Sequence, residues 1–87
     1  MKISEEYQGN FFVSFYQYKG ECAVVRRDSF EEFIEDKTAR ERAGYMLLSV
    51  FGNVNGNFLD KAVHFANKCK NSNNLPQRIE LSDILNA

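Results

Sequence analysis

The sequence predicts a small α+β domain, an antiparallel β-hairpin packed against two or three helices. Two aromatic and β-branched runs, NFFVSFYQY (Asn10–Tyr18) and ECAVVRR (Glu21–Arg27), flank Lys19-Gly20. Downstream stretches repeat apolar residues at helical spacing. The 87 residues, 44% hydrophobic and 26% charged, suit one globular domain, 1–87, with a polar lead-in at 1–9.

The hairpin has a defined register. With Lys19-Gly20 as a two-residue loop, Tyr18 faces Glu21, Tyr16 faces Ala23, Ser14 faces Val25 and Phe12 faces Arg27. The opposite face then carries Phe11, Val13, Phe15, Cys22 and Val24, a uniformly apolar set expected to face the core. Gly9-Asn10 is a turn signal ahead of the first strand.

Ser29 with Glu32 three residues later fits a capping box, and Thr38 with Glu41 offers a second. The apolar pattern lapses between them, which predicts a short helix at 29–36 and a longer one at 38–51. In the longer one Ala39, Ala43, Met46, Leu47 and Val50 form a stripe widened by Gly44, Leu48 and Phe51. A stripe that wide would suit a homodimer contact. Gly52 is read as the helix stop, and 53–57 as a turn rich in Asn and Gly. A third helix is expected over Phe58–Lys70, with Phe58, Leu59, Ala62, Val63, Phe65, Ala66 and Cys69 on one arc. Residues 71–76 read as a loop. Gln77–Leu81 fits a short third strand, and Ser82 is the expected cap of a last helical turn.

Few residues point to chemistry. Cys22 and Cys69 both fall on apolar faces, where burial raises a thiol pKa and makes it inert. His64 is the single histidine and sits on a polar helix face with Asp60 one turn earlier, two ligands short of a metal site. The segment GNVNGN has glycines but lacks the Lys-Ser/Thr of a phosphate loop. The expectation is therefore no enzyme, no metal and no cofactor. No apolar run approaches a membrane span, and the N-terminus has no secretory h-region. A cytoplasmic protein with two free thiols is expected.

What remains is surface. Asp28, Glu31, Glu32, Glu35 and Asp36 place five carboxylates in nine residues. Residues 1–36 carry four basic and eight acidic groups, a net of −4, although the whole chain is at −1. Such a face steers association with a basic partner. The second candidate is the outer hairpin face, Phe12, Tyr16 and Tyr18 with Arg27, extended by Tyr45. The candidate partner-binding set is thus Glu31, Glu32, Glu35, Asp36, Phe12, Tyr16, Tyr18, Arg27 and Tyr45. The leading expectation is a non-enzymatic protein-binding module, a small regulator or inhibitor. The alternative is a nucleic-acid-binding or transcription-accessory domain using the aromatic and basic hairpin face with Arg26, Arg40 and Arg42. Phe, Ile, Asn, Tyr and Lys make up 31 of 87 residues, a bias of AT-rich genes that suggests phage or mobile-element origin.

Overall fold

The computed structural model describes residues 11–54, 56–72 and 77–87, with the side chains of 71 and 72 left aside. The lead-in at 1–9, the Gly9-Asn10 turn and most of the 71–76 loop lie outside the described residues. The described elements are β1 (Phe11–Tyr18), β2 (Glu21–Arg27), α1 (Phe30–Arg42), β3 (Met46–Val54), α2 (Gly56–Ser72) and α3 (Leu81–Leu85). They form an α+β fold around a three-stranded antiparallel sheet of order β2-β1-β3.

The hairpin has the register its turn dictates, with Tyr18 opposite Glu21, Tyr16 opposite Ala23, Ser14 opposite Val25 and Phe12 opposite Arg27. Lys19 and Gly20 both take positive φ, 51° and 79°, the two left-handed steps of a type I′ turn. Phe11, Val13 and Phe15 are buried, and Cys22 and Val24 pack beside them. The helix over them is α2, whose Phe58, Leu59, Ala62, Ala66 and Cys69 are buried. Val63 and Phe65 flank that arc, while His64, Asn67 and Lys68 face solvent. This face is the main core, closed at one end by Ile79 and by Ile84 of α3.

Helix α1 covers the other face of the sheet, where Phe33 stacks on Phe12 with centroids 6.1 Å apart. Ser29 is its N-cap, its hydroxyl accepting from the Glu32 N–H at 3.1 Å, as the sequence predicts. The Glu32 carboxylate closes the box one residue further back, accepting from the Asp28 N–H at 3.1 Å.

The expected helix at 38–51 does not form. Helix α1 runs without interruption through Asp36–Thr38, and the Lys37–Glu41 ion pair at 2.8 Å supports it there. It ends at Gly44, which takes φ 102°. The Gly44 N–H donates to the Glu41 carbonyl and the Tyr45 N–H to the Arg40 carbonyl, the paired bonds of a Schellman motif. Residues 46–54 then pair with β1 as the third strand. An apolar run of this length suits helix or strand, and the vacant side of β1 decides the matter. The helical stripe offered as a dimer contact is thereby dismantled, and Gly52 is a strand residue rather than a helix stop. Gln77–Leu81 is not the third strand: it is irregular up to Glu80, and α3 starts at Leu81. Glu80, not Ser82, caps α3, its N–H donating to the Asp83 carboxylate at 2.9 Å.

Strand β3 is irregular. One register shift falls between the Phe15–Ser49 and Tyr16–Leu47 pairs, a second between Phe11–Val54 and Val13–Phe51. Each places an extra residue in β3, a β-bulge, and Asn53 takes φ 57° at the second.

Candidate functional site

The outer face of the hairpin is roofed by α1. Phe12 is half-buried between Phe30 and Phe33, with Phe30 edge-on at 5.8 Å. Tyr16 is fully buried, its ring edge-on to Tyr45 at 6.1 Å. Burial pushes the Tyr16 phenol up; the Ser14 hydroxyl draws it back down, and the Asp36 charge raises it further. Tyr18 stacks on Tyr45 with centroids 4.2 Å apart and planes 15° from parallel, and Lys19 Nζ lies 5.1 Å from the Tyr18 centroid. These aromatic side chains hold α1 and the start of β3 to the hairpin. Phe12 and Tyr16 are therefore not an open platform on which bases could stack.

Arg27 and Asp36, two of the expected contact residues, are bonded to each other. Arg27 Nη2 donates to Asp36 Oδ1 at 2.8 Å. Arg40 Nε lies 2.9 Å from both oxygens of the same carboxylate, and its guanidinium sits 5.4 Å from the Tyr16 ring and 5.1 Å from the Tyr45 ring. Asp36 thus anchors α1 to β2 and leaves the acidic face. Arg26 pairs with Asp28 at 2.8 Å and lies 4.5 Å from the Phe11 ring.

Glu31, Glu32 and Glu35 remain on the solvent side of α1. Among the described residues, Glu31 and Glu35 have no ion-pair partner. A charged cleft of about 540 Å³ opens where β2 runs into α1, lined by Arg26, Arg27, Asp28, Glu32, Glu35 and Asp36. Its guanidinium groups are already held by Asp28 and Asp36. The charge it offers an incoming group is carboxylate, from Glu32 and Glu35.

Beside these acids α1 exposes apolar surface. Phe30 is 58% exposed and Ile34 40%. The edge strand adds Val50, 40% exposed, which faces Ser14 in the ladder and so lies on the α1 side of the sheet. The missed signal is the helix's own geometry: Phe30 and Ile34 are one turn apart, and Phe33 alone of the three points squarely at the sheet.

The groups with chemical potential are placed differently. Cys22 and Cys69 are free thiols on the core side. Desolvation pushes Cys22 up to about 11 and raises Cys69 as well, so both stay protonated near neutrality. His64 is exposed on α2. Among the described residues no three His, Cys, Asp or Glu side chains converge on a metal position, and no described helix is long and apolar enough to cross a membrane. Comparison with protein-family models, curated proteins and solved structures returns no match, so function has to be read from this geometry.

Proposed function

We propose that this chain is a non-enzymatic protein-binding module, a small regulator or inhibitor that acts by covering a surface of a basic protein partner. The observation that carries the reading is the outer surface of α1. Glu31, Glu32 and Glu35 surround exposed Phe30 and Ile34, and the nearby basic groups Arg27 and Arg40 are turned inward onto Asp36. Apolar anchors ringed by unneutralised charge of one sign combine contact area with electrostatic steering. A partner Lys or Arg would enter the cleft at Glu32 and Glu35, while an apolar side chain covers Phe30 and Ile34.

Two protonated thiols fit a reducing, cytoplasmic setting. The Phe-, Asn- and Lys-rich composition fits a phage or mobile-element origin, where small proteins that occlude a host protein are frequent.

The test is capture from native lysate by the immobilised chain, with the E31K/E32K/E35K variant alongside. The expected result is a basic protein held by the wild type, released by salt and not held by the variant. Undiminished capture by the variant, or no protein specific to the wild type, overturns the reading.

A further inference from the structure

The sheet has two edges, and they differ. The β3 edge is interrupted by two bulges, and the segment around Ile79 lies against its middle, where the Ser49 hydroxyl bonds both the N–H and the carbonyl of Ile79. Bulges and covering segments are how edge strands avoid pairing with other chains. Among the described residues the β2 edge has neither protection, and the Arg26 carbonyl near its end accepts from Arg27 Nη1 at 2.7 Å. The strand pairs with β1 without a shift over all seven residues, and its centre, Cys22 to Val25, contains no charge and no proline.

The hairpin geometry fixes which backbone groups face outward. Around a two-residue turn the flanking pair, Tyr18–Glu21, is hydrogen-bonded, and bonded and non-bonded pairs alternate from there. Val24 opposite Phe15 and Cys22 opposite Gln17 are then non-bonded pairs. Their N–H and C=O groups point away from β1, and among the described residues no strand pairs with them.

We infer that this edge pairs with β2 of a second copy, antiparallel about a two-fold axis at Val24, joining the two sheets into one of six strands. The register is selected by the strand itself. Centring on Val24 sets Val24 against Val24 and Cys22 against Arg26 of the other copy, so the outward-facing residues meet one another as hydrogen-bonded pairs. Ala23 falls opposite Val25, keeping the middle apolar. Glu21 falls opposite Arg27 of the second copy at both ends, an attractive cross-strand pair made twice.

The charges available suit that pairing. Arg27 already donates Nη2 to Asp36 and Nη1 to the Arg26 carbonyl, so Glu21 of the second copy would meet its remaining N–H groups. Glu21 is exposed, and its contact with Lys70 is a long one at 3.8 Å. Shifting the register by two residues in either direction loses both charge pairs and sets charged side chains against the apolar centre. The second copy uses the β2 edge and leaves Phe30 and Ile34 on the outer face of α1 open, while its Glu21 borders the cleft at Arg27; the E21K variant tests the dimer and the E31K/E32K/E35K variant the partner surface, so the two readings fail separately.

Light scattering and sedimentation over a concentration series test it, with two variants. Val24→Pro removes an outward N–H that β1 does not use. Glu21→Lys turns both attractive end pairs into repulsive ones at an exposed position that leaves the fold intact. The expected result is a wild-type dimer, a monomer for V24P, and a dissociation constant raised roughly tenfold for E21K. Slow hydrogen exchange of the Val24 amide in the dimer is the accompanying signature. A wild-type monomer at all concentrations overturns the inference, as does a dimer that E21K leaves unchanged.

Discussion

The Ser49 hydroxyl meets Ile79 at both ends of that residue, accepting from its N–H at 3.0 Å and sharing its single proton between the Ile79 and Leu48 carbonyls, each at 2.6 Å. One side chain thereby stands in for a strand pair. It pins the C-terminal segment to β3 and seats Ile79, which is almost fully buried, at the end of the core. Replacing Ser49 by Ala leaves both backbone groups without that partner. The expected cost is about 2 kcal/mol, read by denaturant unfolding. Faster hydrogen exchange should be confined to 77–87.

Asp36 ties α1 to the hairpin through two guanidinium groups, and its carboxylate is 9% exposed. Asp36→Ala strands both cations and should cost about 2–3 kcal/mol. Arg27→Ala leaves the Arg40 contact in place and removes a more exposed partner, so about 0.5–1 kcal/mol is expected. A larger loss for Arg27 than for Asp36 would mean that the carboxylate is not the centre of the network.

Gly44 ends α1 at φ 102°, and a Cβ there would meet Tyr18 Cε2 at 3.4 Å. Gly44→Ala puts a side chain where the backbone rejects one, with an expected loss of about 1–2 kcal/mol in thermal or chemical unfolding.

A second glycine is constrained by proximity. A Cβ at Gly52 would lie 2.7 Å from Phe12 Cε2, on a ring already held by Phe30 and Phe33. Gly52→Ala should destabilise by about 1–2 kcal/mol through overpacking. In a double-mutant cycle, Phe12→Leu should recover part of that loss.

Stability should fall on the alkaline side. Cys22 moves from 9.0 when unfolded to about 11 when folded, and Cys69 and Tyr16 are also raised. Groups with raised folded pKa values contribute fully below their unfolded values and lose that contribution as pH climbs through the folded ones. Unfolding free energy should therefore hold from pH 7 to about 9 and drop between 9 and 11. A C22A/C69A variant should show a shallower drop, the remainder belonging to Tyr16.

The hairpin was legible to the residue because turn type and alternation are local: Lys19-Gly20 dictates the pairing, and Phe11, Val13 and Phe15 declare the core side. Helix α2 was legible for the same reason, its apolar arc matching its buried residues. The stretch from Ala39 to Val54 was not. Gly44 looks like one more small residue in an apolar stripe, and nothing local reveals that β1 has a vacant side for Met46–Val54 to fill. The same gap hid the fate of the aromatic face. Phe12 and Tyr16 look like surface until a helix that stops at Gly44 is laid over them, and only then do Phe30 and Ile34 emerge on the outside. The acids Glu31, Glu32 and Glu35 were placed correctly, but the pairing of Asp36 with Arg27 and Arg40 joins elements that only the fold brings together.

The strand order β2-β1-β3 sets a problem of timing. The central strand is made first, yet its second neighbour begins some thirty residues later, beyond a turn, a strand and a helix. Until β3 docks, FFVSFYQY is an uncharged, proline-free segment of high β-propensity with one side unpaired, the composition from which cross-β aggregates grow. The chain's solubility during synthesis thus rests on how quickly α1 swings β3 into place. Variants that weaken the α1 anchor at Asp36 should raise the share of the chain recovered in inclusion bodies.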